Sequence, residues 1–540
     1  MSNSIRRQGV PRYSNRESTQ GGCGGVATLR RSWREGLTVY ETRPQPVTGD
    51  TAFRCGFILL VLLATGFAFL HRDIPGDDGY IAWRVARNIV DGNGWVYNLG
   101  EHSNPATSPL QVMLLALLGG ILNDVPLAGW ILASVGLAAA GLVTALWLRD
   151  NGYPFAGLTA GFLIISDHFV ISISELETPV VLFLLSAVLW SYGRDHLHLM
   201  AVALALLVLA RHDAILLAPI LLVFNAMRER DQRGIRIPWS PIAVFGLITV
   251  PWFAFALYEF GSPFPNTLAG KIAQGRSMYW NLTLMSGSWH TVQRVGMGDY
   301  VLVGVPLASL GLLALKASRQ VFVLPLLIYA GLHFLAYTLL GVPTYEWYYY
   351  LAFYAFIILT SLGAEVLLRE LAKRISSEMR SGMRDSIARS VLTALAVVCI
   401  IGFSVLSWRS PGEIWKGYTV KQADARELAY LAAGRYIREM TPSDARVAIT
   451  EIGAFGWASE RTIVDYMGLL STDAAERLEE NDVSWWVDEL KPEYVVFHQP
   501  HWPIEQPAVN LPEFMANYEL VRIVTTEGYE DLEIWHRLAS

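Results

Sequence analysis

The feature that most constrains this chain is a series of apolar segments that recurs between residues 53 and 408. The 540-residue chain is 53% hydrophobic and only 17% charged, which is more apolar than a typical soluble domain. These properties predict a polytopic α-helical membrane protein. The apolar segments lie at 53–70, 107–122, 126–148, 154–171, 179–192, 197–210, 213–227, 240–257, 299–315, 320–340, 347–368 and 390–408.

Several of these segments are shorter than the ~20 residues that a perpendicular span needs, so charge must decide the topology. Basic loops stay in the cytoplasm, and the loop at 228–236 carries four arginines. If every segment crossed, this loop and Arg149 would both lie outside. Prolines and hydroxyl side chains at its start favour the segment at 107–122 as a shallow interfacial helix. About eleven transmembrane helices remain, with the N-terminus inside and the region after Trp408 outside.

The first two parts of the chain differ sharply in composition. Residues 1–52 are rich in Arg, Ser, Gly and Pro and lack apolar periodicity, which predicts a disordered basic cytoplasmic tail. Residues 53–408 form the predicted transmembrane module, with its longer external loops at 71–106 and 258–298. The formal net charge of −6 gives no overall basic character, so nucleic acid is not an expected partner.

Residues 409–540 form a third, more polar part that is predicted to be an extracytoplasmic α/β domain. An amphipathic helix covers 422–440, and short apolar runs with strand character follow it. None of the three cysteines, Cys23, Cys55 and Cys399, lies in this part, so the domain must fold without disulfides. The predicted strands lie at 446–450, 462–466 and 493–498.

Two adjacent carboxylates, Asp77 and Asp78, follow the first apolar segment. Charged groups this close to a membrane exit are costly unless water, a cation or a substrate meets them. A hydroxyl that attacks a sugar carbon needs a carboxylate to take its proton, so Asp77 is the predicted general base, with Asp78 beside it. The two adjacent carboxylates repel each other, and a divalent cation bound by the pair would compensate their charge, so a divalent cation is the one candidate cofactor. The alternative interpretation is that the pair caps the helix at 79–91.

Three basic residues near this face are candidates for binding a donor phosphate. Arg84 and Arg87 are three residues apart and share one helix face. Their alternative role is to extend towards lipid head groups. Lys271 lies on the long external loop and is a second candidate cation, with a solvated loop lysine as the alternative.

A charged triplet, Arg211-His212-Asp213, separates two apolar segments. Charge is costly in such a place and usually functional, so Arg211 and His212 are predicted to bind the donor phosphate. A plain polar hairpin turn is the alternative. Glu177 stands just before the segment at 179–192 and is a candidate for binding the substrate. The alternative is that these residues only begin the next helix, with Thr178 as its cap and a proline in its first turn.

The remaining candidates for binding substrate or acceptor are polar or aromatic loop residues. Asn266 and Thr267 precede Lys271 on the external loop. Tyr345 and Trp347 belong to an aromatic run that ends at Tyr350 and is suited to stacking on a sugar ring or an isoprenoid. An interfacial aromatic belt is the default explanation of that run.

Several short motifs occur around these residues: Asp77-Asp78-x-Tyr80-Ile81-x-x-Arg84-x-Ala86-Arg87-Asn88, Asp91-Gly92-x-Gly94, Thr107-Ser108-Pro109-Leu110, Leu176-Glu177-Thr178, Pro265-Asn266-Thr267 with Lys271, and Glu451-Ile452-Gly453-Ala454-Phe455-Gly456. These motifs resemble the GT-C superfamily of polyprenyl-phosphate-dependent membrane glycosyltransferases, most closely the branch of AftB-type arabinofuranosyltransferases. The resemblance implies a prenyl-phosphate pentose or related donor, inverting transfer, an acidic base in the first external loop and a short interfacial helix after it. It leaves the sugar and the acceptor open.

The expected function is transfer of a sugar, with arabinofuranose as the candidate, from a polyprenyl-phosphate donor to an envelope glycan, lipid or protein. The expected place is the outer face of a bacterial cytoplasmic (inner) membrane, in contact with membrane lipid. Two alternatives stay open, a transporter or flippase for a lipid-linked sugar and a non-catalytic glycan-binding scaffold. A transporter would show internal repeats or paired broken helices, and the sequence shows none.

Overall fold

A computed structural model of the chain describes residues 51–70, 76–233, 237–294, 298–318, 320–377 and 425–538. The predicted tail up to residue 50 and the apolar segment at 390–408 lie outside the described residues, so the count of eleven spans stays a prediction. The polytopic helical fold itself is confirmed, and so is a small mixed α/β unit at the C-terminal end.

The bundle is built from apolar helices joined by short turns. Several begin with a proline in the first turn, where the missing N–H removes no helical hydrogen bond. The helices are α1 (Thr51–Leu70), α2 (Asp77–Val90), α3 (Pro109–Leu122), α4 (Val125–Asp150), α5 (Pro154–Ser166), α6 (His168–Ser172), α7 (Thr178–Gly193), α8 (Leu197–Ala210), α9 (Leu217–Arg233), α10 (Trp239–Phe260), α11 (Asn266–Arg276), α12 (Leu284–Arg294), α13 (Gly298–Ala317), α14 (Leu324–Leu340) and α15 (Tyr350–Ser377). Two 3₁₀ turns cover His212–Leu216 and Glu346–Tyr349.

Ten apolar helices occur among the described residues, and they fall into two length classes. Five are long and apolar enough to span a bilayer: Val125–Asp150, Pro154–Ser172, Trp239–Phe260, Tyr300–Ala317 and Glu346–Arg374. Five are shorter: Phe53–Gly66, Pro109–Leu122, Thr178–Gly193, Leu197–Ala210 and Leu324–Leu340.

The C-terminal domain contains a five-stranded mixed sheet in the order β2-β1-β3-β5-β4. The first three strands are parallel and agree with the predicted runs, whereas the antiparallel β4–β5 hairpin was not predicted. Its elements are α16 (Ala425–Met440), β1 (Arg446–Ile449), α17 (Gly453–Ser459), β2 (Thr462–Val464), α18 (Thr472–Glu479), α19 (Trp485–Glu489), β3 (Tyr494–Gln499), α20 (Gln506–Val509), α21 (Pro512–Asn517), β4 (Tyr518–Val524) and β5 (Asp531–Arg537).

The C-terminal domain shares its hydrophobic core with helix α2. Tyr80 and Trp83 of α2 are buried in the same cluster as Phe455 of α17 and Val447 of β1. A separate cluster fills the bundle between α4, α7, α8 and α15. Because α2 contributes to the core of the domain, the domain is fixed to the end of the bundle at which α2 begins.

Candidate active site

A cavity of 340 Å³ lies at one end of the bundle, and its wall brings together segments that are far apart in sequence. The first turn of α2, the start of α7, the turn after α8, the start of α11, the end of α14 and the turn before α15 all line it, together with Leu469 of the C-terminal domain. Seven of the predicted site residues meet here: Asp78, Glu177, Arg211, His212, Thr267, Lys271 and Trp347.

The aspartate doublet is divided between two environments. Asp77 is only 4% exposed, and its Oδ2 and Oδ1 accept hydrogen bonds from the backbone N–H groups of Gly453 (2.9 Å) and Ala454 (2.7 Å). It therefore caps the first turn of α17, a helix of the C-terminal domain, rather than its own helix. Asp78 lines the cavity. The predicted base Asp77 is thus engaged by the protein, and its neighbour is the carboxylate available to a substrate.

Burial raises the pKa of Asp77 well above its usual value, and the nearby charges of Glu451 and Asp78 act in the same direction. The Ala454 N–H and the Arg426 charge oppose that shift. Among the described residues, no group of three or more His, Cys, Asp and Glu side chains is arranged to hold a metal ion.

Arg84 and Arg87 lie on the face of α2 that meets the C-terminal domain and are not brought to the cavity. The buried Arg84 guanidinium donates to the carbonyls of Gly456 (2.7 Å), Arg461 (2.7 Å) and Tyr97 (3.0 Å). Arg87 lies over Trp457 of α17, 4.0 Å from the ring centroid. Both arginines hold the domain against α2, and their predicted phosphate role has no geometric support.

The loop after α2 continues this interface along the edge of the sheet. Asn98 Oδ1 accepts a hydrogen bond from Ile463 N (2.9 Å), and Asn98 Nδ2 donates one to Ile463 O (2.9 Å). The Tyr97 hydroxyl donates to Ile452 O at 2.5 Å. One side-chain amide thus pairs with edge strand β2 as a neighbouring strand would.

Arg211 is the centre of a buried ionic cluster on the cavity wall. Its Nη1 donates to Glu177 Oε1 (2.7 Å) and its Nη2 to Asp213 Oδ2 (2.9 Å). The Tyr337 hydroxyl also donates to Asp213 Oδ2 (2.7 Å), and His333 Nε2 lies 3.3 Å from the same oxygen. Burial alone raises the pKa of Asp213, but the Arg211 and His333 charges lower it below its usual range. One guanidinium therefore faces two carboxylates.

His212 lies beside this cluster with a different character. Its Nε2 is buried without a hydrogen-bond partner among the described residues, and its ring lies 5.4 Å from that of Phe253. Burial lowers the pKa of His212 to about 4. The imidazole is therefore neutral at pH 7 and offers a hydrogen bond to a ligand rather than the positive charge expected of a phosphate site.

Helix α11 carries Thr267 and Lys271 to the cavity and is fixed from two sides. Asn266 does not line the cavity, but its Oδ1 accepts from Asn104 N (3.1 Å) and its Nδ2 donates to Leu470 O (3.2 Å). A Cβ at Gly270 would lie 2.5 Å from the Gly468 carbonyl oxygen. Only glycine at 270 allows this approach, so the C-terminal domain sets the position of the helix.

An aromatic pair stands beside the Lys271 ammonium. Its Nζ lies 4.0 Å from the Tyr345 ring centroid and 5.4 Å from that of Trp347. The two rings are stacked at 4.5 Å, and the Tyr345 hydroxyl donates to Gln274 of α11 at 2.9 Å. Burial alone lowers the pKa of Lys271, but Tyr345 and the Asp78 charge raise it above its usual value. Trp347 contacts the cavity, and Tyr345 supports the lysine from behind.

Sequence reasoning missed several wall residues. Asp213 belonged to the charged triplet and could have been selected with its neighbours. Tyr337 is enclosed in an apolar helix, and no sequence signal distinguishes it. Leu469 of the C-terminal domain also lines the cavity. It lies about 200 residues after Thr267 in the sequence, so only the folded structure shows that the two residues share a wall.

Comparisons with known proteins support the fold. ArnT from Cupriavidus metallidurans, solved with undecaprenyl phosphate, superimposes with a TM-score of 0.58 at 13% identity, over 90% of this chain and 98% of that one. An oligosaccharyltransferase from Archaeoglobus fulgidus in its apo form gives 0.56 at 14% identity, over 84% and 70%. AglB from the same organism, solved with an inhibitory peptide and a dolichol-phosphate, gives 0.54 at 13% identity, over 83% and 69%.

These likenesses show that the chain shares its overall fold with ArnT and with the archaeal oligosaccharyltransferase structures. By sequence, a family model described as a domain of unknown function (DUF8728) matches residues 416–535. A search of characterised proteins by sequence gives no significant match. The family match covers the C-terminal domain alone, so the fold of the whole chain is carried by the structural comparison.

Proposed function

We propose that this protein is a membrane glycosyltransferase that moves a sugar from a polyprenyl-phosphate donor to an acceptor in the cell envelope. The observation that carries the proposal is the cavity itself, in which the Asp78 carboxylate shares one enclosed space with Lys271, Thr267 and a cluster of buried charges. Solved structures of the same fold were obtained with undecaprenyl phosphate and with a dolichol-phosphate, which supports a lipid-phosphate donor.

In the proposed reaction Asp78 is the general base. It takes the proton of the acceptor hydroxyl as that oxygen attacks the anomeric carbon, and the bond from that carbon to the phosphate oxygen breaks. The phosphate leaves with the electron pair, and nearby positive groups stabilise the charge that develops on it. Attack opposite the leaving group inverts the anomeric centre. Assigning the base to Asp78 instead of Asp77 follows from the hydrogen bonds that already occupy Asp77.

The hydroxyl groups of the transferred sugar have suitable partners on the opposite part of the wall. Glu177, Asp213 and neutral His212 all line the cavity and can accept or donate hydrogen bonds without adding positive charge. Arabinofuranose remains the proposed sugar, from the sequence resemblance to arabinofuranosyltransferases. The acceptor is an envelope glycan, lipid or protein.

We further propose that the cavity faces the outside of a bacterial cytoplasmic membrane, with the N-terminal tail in the cytoplasm and the domain from residue 409 outside. The basic loop at 228–236 supports this orientation. Reporter fusions after residues 149, 232 and 420 test it. The first two should report the cytoplasm and the third the exterior, and the reverse pattern would exclude an external site.

The enzymatic proposal is tested by transfer assays in membranes with a panel of polyprenyl-phosphate sugars, polyprenyl-phosphate arabinofuranose first. Asp78→Asn should lower the transfer rate by about 10² to 10⁴ because it removes the base while keeping the shape of the side chain. Asp91→Asn is the matched control, since Asp91 is an exposed carboxylate at the far end of the same helix. Full activity of Asp78→Asn at equal expression would exclude the proposed base.

A further inference from the structure

Helix α11 presents its N-terminus to the cavity without a side-chain cap. The helix covers Asn266–Arg276, and its N-cap residue, Pro265, provides no side-chain cap. Of the first-turn N–H groups, that of Asn266 donates to Asn104 O (2.9 Å) and that of Leu268 to Pro265 O (3.1 Å), so the partial charge of the turn, rather than these two donors, is offered to a ligand. Pro265, Thr267 and Leu268 all line the cavity. The first turn of a helix carries a partial positive charge, so an anion in the cavity is favoured at this point.

An unpaired hydroxyl in the same turn points independently to a ligand. Thr267 is 6% exposed, and its buried Oγ1 has no hydrogen-bond partner among the described residues. Buried hydroxyl groups are normally paired, because leaving one unpaired costs free energy. A ligand oxygen beside the first turn of α11 would supply the missing partner.

Lys271 completes the arrangement one turn further along. It is four residues after Thr267 and therefore on the same face of α11, and it lines the same cavity. Its ammonium lies over the Tyr345 ring and forms no ion pair with any described carboxylate. Its positive charge is therefore still available to an anion.

The other cation on the wall is in the opposite situation. Arg211 already pairs with Glu177 and Asp213, two carboxylates around one guanidinium, so its positive charge is already compensated. We propose that the first turn of α11, Thr267 Oγ1 and Lys271 Nζ together bind the phosphate of the lipid-linked donor, an assignment that rests on the proposed glycosyl transfer.

This assignment fixes the orientation of the donor. The phosphate lies at α11, its sugar extends towards the Arg211 cluster, and the polyprenyl chain leaves past apolar wall residues such as Ile215 and Leu340. When the sugar leaves, the phosphate gains a second negative charge as a monoester. The α11 site should therefore hold the polyprenyl phosphate product more tightly than the donor.

Binding of undecaprenyl phosphate to the purified full-length protein in detergent, measured by native mass spectrometry, tests the assignment. Lys271→Gln should weaken binding about 10- to 100-fold, and Thr267→Val, which keeps the shape but removes the hydroxyl, about 3- to 10-fold. Arg276→Gln is the matched control, because Arg276 is on the same helix but pairs with Glu479 at the surface. It should stay within twofold.

Two further probes separate the sources of the effect. Undecaprenol, which lacks the phosphate, should bind all four proteins equally, and inorganic phosphate should compete only at millimolar concentration. If the wild type binds undecaprenyl phosphate and both α11 variants bind it equally well, the α11 site is excluded while the enzymatic proposal stands. If the wild type does not bind undecaprenyl phosphate at all, both proposals fail.

Discussion

The interface between α2 and the C-terminal domain and the wall of the cavity use polar residues in opposite ways. On the face towards the C-terminal domain, Asp77 and Arg84 are buried and direct their hydrogen bonds to backbone groups of that domain. On the cavity wall, Thr267 and His212 are enclosed and leave polar atoms unpaired. Residues with these two different roles can be neighbours in sequence: Asp77 bonds to the C-terminal domain, and Asp78 lines the cavity. The difference teaches that the partners of a buried polar group, rather than its burial, distinguish a structural role from a binding role.

The largest stability effect should come from Arg84. Arg84→Met removes three hydrogen bonds from the guanidinium to the carbonyls of Gly456, Arg461 and Tyr97. The expected loss is about 3 to 5 kcal/mol because a hydrogen bond to a charged group contributes about 1.5–3 kcal/mol. The melting temperature in detergent and the release of the C-terminal domain by a protease measure it. Arg87→Met is the control, since its side chain is 23% exposed, and it should cost less than about 1 kcal/mol. Equal effects would remove the distinction between the two arginines.

An effect of intermediate size is expected when Asp77 and Asp78 are replaced separately and the two variants are compared in stability and in transfer rate. Asp77→Asn loses one of its two acceptor oxygens at the start of α17 and should lower stability by about 1 to 3 kcal/mol. Asp78→Asn should leave the melting temperature unchanged and lower the transfer rate by about 10² to 10⁴. The same two variants are compared by thermal melting and by initial rates. An unchanged melting temperature in Asp77→Asn with complete loss of turnover would return the base to Asp77.

The smallest effect, taken per pH unit, is the change in stability with the protonation of His212. The pKa of His212 is about 4 in the folded protein, against about 6.5 in an unfolded chain. The unfolded state therefore binds a proton first as the pH falls, and stability is complete above pH 6.5 and decreases towards pH 4. The expected slope is at most about 1.4 kcal/mol per pH unit. Melting at several pH values should show a shallower dependence in His212→Asn, and an identical dependence would contradict the buried neutral imidazole.

Local patterns in the sequence were sufficient for the elements but not for their partners. Hydrophobic runs predicted the bundle, and short apolar runs predicted β1, β2 and β3. The hairpin of β4 and β5 was missed although β5 alternates apolar and polar residues, as in Leu532 and Ile534, both buried. This alternation is a strand signal that the sequence analysis did not use. Most of β4 is exposed, so its pattern is weaker.

The site was predictable where a charged residue is energetically unfavourable beside a membrane, because such residues are often functional. Residues that are expensive beside a membrane, such as Asp78, Arg211 and Lys271, do meet in one cavity. The same reasoning also selected Asp77 and Arg84, because a sequence does not state which distant backbone will satisfy a charge. That information depends on the approach of Gly453 and Gly456 from the far end of the chain.

The amide of Asn98 has a consequence for how the chain can be divided. It occupies the outer edge of β2 through Ile463, so a fragment containing only the C-terminal domain would present an unprotected strand edge to other copies of itself. During biosynthesis β2 is made long after Asn98 and must pack against the segment that carries Asn98 before that edge is protected. The isolated C-terminal fragment is therefore expected to aggregate through the exposed edge of β2.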